Sequence, residues 1–332
     1  MSPLQVTASP HLGGHDSTRQ IMWSVVATLV PVVGVAVWAY GPSALLVVVA
    51  ATAGATITEW AFGKPGSVLD GSVVITGLLV GLCLPAGLPL WMAFLGAAAG
   101  VGLGKVVFGG LGQNVFNPAL LGRAFLQAAF PVAMTTWPAT SRASWWSLHG
   151  DNFAMPLMSA SADTVTGATP LGLMKFEQVA TPVTDLLFGR ASGSVGEVAA
   201  VLILLGGVYL ALRNCLEWRI PASIFLTVAV CSGVLHWIDD VRFASAPFAL
   251  FSGGLMLGAI YMATDPVTAP ITNRGRWIFG LGIGVLVVLI RSWGGLPEGV
   301  MYAILIMNAL VPFINRATQP RVFGTVLPGP GT

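Results

Sequence analysis

Long apolar runs separated by short polar or glycine- and proline-rich turns dominate the chain. An apolar run of about 20 residues is long enough to cross a bilayer as a helix, whereas one of about 10 to 15 residues is typical of a half-helix or a buried segment. The pattern predicts ten helical segments, five on each side of a long polar stretch: 21–40, 43–62, 70–84, 90–108, 117–130, 198–212, 220–237, 247–263, 277–290 and 300–314. The sequence therefore predicts an all-α integral membrane protein with about ten transmembrane segments.

The polar stretches divide the chain into five regions. We expect a cytoplasmic leader at 1–20, a first transmembrane repeat at 21–130, an extracytoplasmic loop at 131–197, a second repeat at 198–314 and a cytoplasmic tail at 315–332. The leader has no early apolar run followed by a small-residue cleavage site, so we predict that it is retained in the mature protein.

The two sides of the membrane are assigned from the basic residues of the short loops. Cytoplasmic loops are enriched in Lys and Arg. With both termini inside, the opposite side holds only Arg242 and Arg291 in its short loops. The cytoplasmic side then collects Arg19, Lys64, Lys105, Arg213, Arg219, Arg274, Arg276, Arg316 and Arg321. This orientation puts the long loop on the outer face.

The two halves of the chain share short glycine patterns. The run GLLVG at 77–81 matches GLMLG at 254–258, and FGGL at 108–111 matches WGGL at 293–296. Five crossings are an odd number, so two such halves in series have opposite orientations, which is the inverted-repeat plan of many transporters. The alternative is that glycine-rich helices resemble one another because small residues allow close packing.

Composition excludes several classes of protein. Only 8% of the residues are charged, against roughly 25% in a soluble domain, and a scattered net charge of +2 does not favour nucleic-acid binding. Cys83, Cys215 and Cys231 are too far apart for a disulfide framework, an iron–sulfur cluster or a zinc site. His11 and His15 alone make a poor metal site. We therefore predict no metal centre.

One short polar signature lies in the second half of the long loop, where Asp163 precedes Thr166, Gly167, Ala168 and Thr169. Two small residues before Thr169 leave its backbone accessible to a large modifying group. No His or Lys lies close enough in sequence to activate the hydroxyl, so a covalent modification would require a separate transferase. The alternative is a surface loop whose Thr-Gly and Thr-Pro pairs mark turns.

Ionisable residues in or near the apolar segments are candidates for ion coupling, because charge at membrane depth is costly and usually faces a cavity or a partner. Glu59, Asp70, Arg123, Asp265 and Glu298 meet this criterion. Asp70 and Asp265 lie near the third and eighth segments, where a half-helix end favours an ion or a second flavin. The alternative for both is a helix cap or an ion pair, for example with Arg123.

Several motifs recur in the order and spacing of a known family. They are Ser9-Pro10-His11 with Ser17-Thr18 and Ile21-Met22, the run from Asp70-Gly71 to Thr76-Gly77, the block GQNVFNPAL at 112–120 with Gly122-Arg123-Ala124, the block ATDPVT at 263–268, and D-x-x-T-G-A-T at 163–169. Over nearly its whole length the chain resembles the RnfD/NqrB family, and its compact N-terminus resembles the RnfD branch.

The resemblance implies a cofactor and a fold. It implies that Thr169 carries FMN through a phosphoester bond installed by a flavin transferase that uses FAD, within the signature formed with Asp163, Thr166, Gly167 and Ala168. A second, noncovalent flavin or riboflavin occurs among relatives. The fold that it implies resembles the urea transporters, in agreement with inverted halves.

The resemblance also implies a function in the bacterial inner membrane. We expect an electron-transfer subunit that couples electron flow between ferredoxin and NAD to Na+ or H+ transport, with RnfA, RnfB, RnfC, RnfE and RnfG as partners. We do not expect it to act on NAD by itself, since the glycines at 100, 102 and 104 lie in an apolar segment rather than after a strand. The alternatives are an NqrB-type subunit of a sodium-pumping NADH:quinone reductase and a small-solute transporter or channel with inverted repeats.

Overall fold

The computed structural model describes residues 17–64, 66–138, 148, 150–156 and 167–320. Within these ranges the regular elements are helices joined by turns. Asp163 and Thr166 lie outside the described residues.

The first half of the chain forms five helices. Ser17 caps the first in a capping box with Gln20. Gly41, at φ 74°, ends that helix, and Pro42 begins the next at the position where a missing N–H costs nothing. The helices are α1 (Thr18–Tyr40), α2 (Pro42–Phe62), α3 (Ser72–Leu82), α4 (Leu90–Val101, prolonged by the π-helical turn Gly102–Val106) and α5 (Pro118–Ala129).

The described part of the predicted long loop contains three short helices. They are α6 (Pro131–Thr135), α7 (Pro170–Gly172, prolonged by the π-helical turn Leu173–Glu177) and α8 (Val183–Leu187). Helix α7 begins directly after Thr169, so the candidate attachment residue lies at a helix terminus.

The second half forms six helices. They are α9 (Ala200–Leu212, preceded by the 3-10 turn Glu197–Ala199), α10 (Arg219–Ile238), α11 (Ala246–Phe251), α12 (Leu255–Leu257, prolonged by the π-helical turn Gly258–Met262), α13 (Asn273–Trp293) and α14 (Val300–Thr318). The predicted segment 247–263 is therefore two helices rather than one. The chain breaks at Ser252, Gly253 and Gly254, and Gly253 adopts a positive φ of 65°.

The predicted membrane character is confirmed by helix length and composition. Among the described residues, five helices are long and apolar enough to cross a bilayer, namely α1, α2, α10, α13 and α14. Shorter apolar helices are Ser72–Leu82, Leu90–Val106 and Glu197–Leu212. Short apolar helices of this kind are stable at membrane depth when other protein segments surround them.

Glycines bring the helices of each half into backbone contact. A Cβ on Gly54 of α2 would lie 2.3 Å from the Phe94 carbonyl oxygen of α4. In the second half, a Cβ on Gly280 of α13 would lie 2.6 Å from Cβ of Ser223 in α10. Small residues at such crossings allow van der Waals packing where no hydrophobic effect is available between lipid-exposed helices.

Candidate functional site

A cleft opens beside Thr169 at the start of α7. Its walls come from α5, α6, α7, the 3-10 turn before α9 and the chain that precedes α14. We call it the Thr169 cleft; its lining includes Arg123, Trp137, Thr169, Glu197, Glu298 and Tyr302.

Thr169 is half-buried and caps α7. Its Oγ1 accepts a hydrogen bond from the Gly172 amide at 3.1 Å, and its carbonyl accepts one from the Leu173 amide at 2.9 Å. Two residues earlier, the Gly167 amide donates to the Trp137 carbonyl at 2.8 Å. These bonds hold the hydroxyl at the edge of the cleft, next to the exposed Ala168.

An ion pair between the two halves of the chain lies in the same cleft. Arg123 projects from α5, whose start is fixed by Asn117 as N-cap, and its guanidinium donates to Oε2 of Glu298. The other carboxylate oxygen, Oε1 of Glu298, accepts from the Gly254 amide at 2.8 Å, at the break between α11 and α12. Arg123 therefore pairs with Glu298, and the suggested pairing with Asp70 or Asp265 is wrong.

Glu197 adds a second carboxylate to the cleft. Ser194 Oγ donates to its Oε1 at 2.8 Å. Burial, followed by the negative charge of Glu298, raises the pKa of the Glu197 carboxyl from its ordinary 4.5 to about 7. A group with this pKa exchanges protons near neutral pH.

A second cavity lies around Asp265, among α1, α3, α5, α9 and the chain on either side of Asp265. We call it the Asp265 cavity; its polar lining includes Ser72, Thr76, Lys105, Asn114, Asn117 and Asp265. Helix α5 connects the two sites, since Ala119 lines the Asp265 cavity and Arg123 and Gln127 line the Thr169 cleft.

Asp265 is held by its own turn. Its Oδ1 accepts from the Val267 amide at 3.1 Å and its Oδ2 from the Thr268 hydroxyl at 3.2 Å. Burial raises the pKa of its carboxyl, and the hydrogen bonds that it accepts from the turn and from Asn114 oppose this shift. Asn114 Oδ1 is buried and has no hydrogen-bond partner in the described part of the chain.

Asp70 and Glu59 lie on the same side of the molecule as Asp265. Asp70 Oδ1 accepts from the Ser72 amide at 2.7 Å and caps α3, as one of the two interpretations expected. Both oxygens of Glu59 accept from Lys105 Nζ at 2.7 Å, and Lys105 also donates to Ser72 Oγ. Lys105 is only 2% exposed, so its assignment to the charged cytoplasmic loops is wrong: it neutralises a buried carboxylate.

The structure thus sorts the predicted residues into two sites. Gly167, Ala168, Thr169, Arg123 and Glu298 lie at or beside the Thr169 cleft. Glu59, Asp70 and Asp265 lie at or next to the Asp265 cavity. Sequence reasoning missed the roles of Lys105, Glu197 and Asn114; the signal available for Lys105 was a lone cation in the last turn of an apolar segment.

Comparison with known proteins places these two sites in a family context. A sequence model of the NQR2, RnfD, RnfE family matches residues 5–324. The chain is 40% identical to the D component of the ion-translocating oxidoreductase complex of Stutzerimonas stutzeri, over 93% of each protein. It is 38% identical to the D component of the proton-translocating ferredoxin:NAD(+) oxidoreductase complex of Clostridium ljungdahlii, over 96% of each.

A further relative has a different ion in its name. The D component of the Na(+)-translocating ferredoxin:NAD(+) oxidoreductase complex of Acetobacterium woodii is 37% identical, over 97% of this chain and 95% of the relative. With a family match over almost the whole chain and relatives of this similarity, the chain belongs to the NQR2, RnfD, RnfE family.

Proposed function

We propose that this chain is the RnfD-type subunit of an ion-translocating membrane oxidoreductase and passes electrons between bound flavins while the complex moves Na+ or H+. The names of the relatives, each aligned over 93% or more of this chain, support this function. Its partners in the proposal are subunits of the RnfA, RnfB, RnfC, RnfE and RnfG types.

The transported ion does not follow from overall similarity. The relatives named for H+ and for Na+ are 38% and 37% identical to this chain. Among the ion-coupling candidates, Glu59 and Arg123 are neutralised by ion pairs and Asp70 caps a helix. Asp265 lines a cavity and has no ion-pair partner among the described residues. We therefore favour Asp265 as the ion-coupling carboxylate.

Thr169 is the proposed attachment site for FMN, and the residues around it fit this group. The hydroxyl lies at the edge of a cleft rather than inside it, and the adjacent Gly167 and Ala168 add little bulk, so a transferase can approach. No described Lys or His contacts Thr169 Oγ1 in a way that would activate it, since its one hydrogen bond comes from a backbone amide. This supports modification by a separate flavin transferase.

When bound, FMN supplies one- and two-electron transfer. The chain supplies position and charge. The Thr169 tether prevents loss of the group to the aqueous phase, and Trp137 and Tyr302 give the cleft aromatic walls. Arg123 places a positive charge in the cleft that Glu298 balances, while Glu197 is a carboxyl able to hold or release a proton near pH 7.

The Asp265 cavity is the proposed site of a second, noncovalent flavin such as riboflavin. Flavin rings carry both N–H donors and carbonyl acceptors, and the cavity offers matching groups. Asn114 Oδ1 is a buried acceptor without a partner in the described chain, and Lys105 is a cation in the same lining. An unpartnered buried acceptor is costly unless a ligand or a water satisfies it, which supports a polar ligand here.

The proposed membrane topology is ten crossings in two inverted repeats, similar to the urea transporters. Two observations support it. Helices α2 and α4 pack extensively through Gly54, and α10 and α13, which are the corresponding segments of the second half, pack extensively through Gly280. The remaining basic loop residues still favour cytoplasmic termini and an extracytoplasmic Thr169.

The covalent flavin is tested by in-gel fluorescence of the denatured chain expressed in a bacterial host that has the transferase. Wild type and Thr135→Val should fluoresce, because Thr135 lies in the same cleft and its hydroxyl bonds only to its own helix. Thr169→Val should be dark. Fluorescence that persists in Thr169→Val, with the chain intact, rejects Thr169 as the attachment site.

A further inference from the structure

A third cavity, of about 490 Å³, lies between α7, α10, α11 and α13. Its volume falls in the range of roughly 300 to 1,000 Å³ that small-molecule sites occupy. We call it the Arg242 cavity. The residues that the argument uses are Lys175, Val228, Ser232, Arg242, Phe248 and Arg291.

The cavity lies at the ends of two membrane-type helices. Helices α10 and α13 run parallel, since Ser223 Oγ near the start of α10 donates to the Trp277 carbonyl near the start of α13 at 2.8 Å. Their C-terminal turns therefore lie at the same level. Trp237 and Trp293, in these turns, are 88% and 54% exposed. Exposed tryptophans at the ends of apolar helices mark the headgroup level of a bilayer.

Positive charge is concentrated at this level. Lys175, Arg242 and Arg291 all line the cavity, and none of them takes part in the five ion pairs of the described residues. Lys175 donates to the carbonyls of Gly294 and Leu296 and so offsets the negative end of the α13 dipole. Two guanidinium charges remain beyond that compensation.

The two arginines are held in different ways. Arg291 donates to the carbonyls of Ala249 and Ser252 at 2.6 and 2.9 Å, while its Nε is buried and has no partner in the described chain. The Arg242 side chain is exposed, with its guanidinium 5.4 Å from the ring centre of Phe243. The nearby Asp239 is occupied by the Arg242 backbone amide at 3.0 Å.

Below this basic rim the lining is mainly apolar. Val228 and Phe248 are buried, and Ser232 directs its hydroxyl to the Val228 carbonyl of its own helix. A cavity with cations at headgroup level and an apolar lower part is complementary to an anion with a hydrocarbon tail. Basic sites between transmembrane helices recognise anionic lipid headgroups in this way.

We propose that the Arg242 cavity binds one anionic phospholipid, with its phosphate at Arg242 and Arg291 and the upper part of one acyl chain between α10 and α13. The site is separate from both proposed flavin sites and does not require that either flavin is present. It would tie the α7 segment, which carries Thr169 at its start, to the membrane surface.

The test is native mass spectrometry of the purified full chain in detergent, titrated with phosphatidylglycerol. We expect one retained phosphatidylglycerol per chain and weaker retention of phosphatidylcholine. Arg242→Gln should bind phosphatidylglycerol about fivefold more weakly, since one arginine near a membrane surface contributes about 1 kcal/mol. Arg274→Gln is the matched control, because Arg274 is also exposed but lies in the first turn of α13, at the opposite end of that helix.

A second variant separates a cavity from surface charge. Ser232→Leu keeps every cation but fills the apolar part, so phosphatidylglycerol should again bind more weakly while inorganic phosphate changes nothing. Equal loss of the lipid in Arg242→Gln and Arg274→Gln, or equal binding of phosphatidylcholine and phosphatidylglycerol to wild type, would overturn the proposal. So would unchanged lipid binding in both cavity variants.

Discussion

The Thr169 cleft and the Asp265 cavity use the same components in different ways. Each contains a buried cation from the first half of the chain, Arg123 in the cleft and Lys105 in the cavity. In the cleft, the cation pairs with Glu298 and so connects the two halves. In the cavity, the cation pairs with Glu59 of its own half and leaves Asp265, the carboxylate of the second half, without an ion pair among the described residues.

This difference separates structural charges from functional ones. At the cleft, the charges that cross between the halves neutralise each other, and the hydroxyl of Thr169 is the group left available for chemistry. At the cavity, the neutralised pair is internal to the first half, and Asp265 is left available for an ion or a ligand. One site is therefore suited to a tethered group and the other to an untethered one.

The largest expected effect is at the buried pair of the first half. Lys105→Met leaves Glu59, which is 2% exposed, without its cation. Breaking such a pair costs about 3–5 kcal/mol of folding free energy. The melting temperature of the purified chain in detergent should fall accordingly.

The double variant Glu59→Leu with Lys105→Met checks the cause. Replacing both charges by apolar groups removes the uncompensated charge, so most of the stability should return. A double variant as unstable as Lys105→Met alone would mean that packing, rather than charge, explains the loss.

Glu298→Gln should have a smaller effect, of about 3 kcal/mol, because Arg123 and Glu298 are more exposed, at 8% and 17%. Unlike Lys105→Met, it disturbs a contact between the halves, so limited proteolysis should become faster in the chain between α11 and α12, where the Gly254 amide loses its carboxylate. Unchanged proteolysis there would contradict the assigned role of this pair.

Gly254→Ala probes the same contact without changing charge. A Cβ at this position would lie 2.6 Å from Glu298 Oε1, so the carboxylate must move. Overpacking of this kind costs about 1–3 kcal/mol. Gly295→Ala, with no atom within 4 Å of the added Cβ, is the control in a thermal melt. Equal melting temperatures for the two variants would show that the carboxylate moves freely.

The smallest effect concerns pH. Because the pKa of Glu197 is raised from 4.5 to about 7 in the folded protein, the folded state binds the proton more tightly than the unfolded state. Stability due to this group is therefore lost as pH rises between these values, by about 1 kcal/mol after solvent screening. Glu197→Gln should melt higher than wild type at pH 8 and close to it at pH 5. A difference that is independent of pH would contradict this titration.

The apolar pattern was sufficient to predict the helices. Each predicted segment contains helix in the structure, and turn residues such as Gly41 and Pro42 mark a boundary because their backbone preferences are local. The break at 252–254 was not predicted, because Gly253 and Gly254 are equally typical of close helix packing. The number of crossings and the repeat symmetry stay predictions.

Pairing within the sites was beyond the sequence. Arg123 and Glu298 are 175 positions apart, and Lys105 and Glu59 are 46 apart. Which carboxylate each cation meets depends on how the helices pack, and no local pattern encodes that. The sequence identified Thr169, Asp265 and Arg123 as candidates from residue type and position, but it could not show that α5 links the cleft to the cavity.

The most direct measurement for the central claim is the mass of the peptide that contains Thr169, isolated from a host competent to load flavin. We predict a mass increased by FMN less one water, with fragmentation that places the addition on Thr169 and not on Thr166 or Thr164. An unmodified peptide from such cells, or an addition on another residue, would contradict the account.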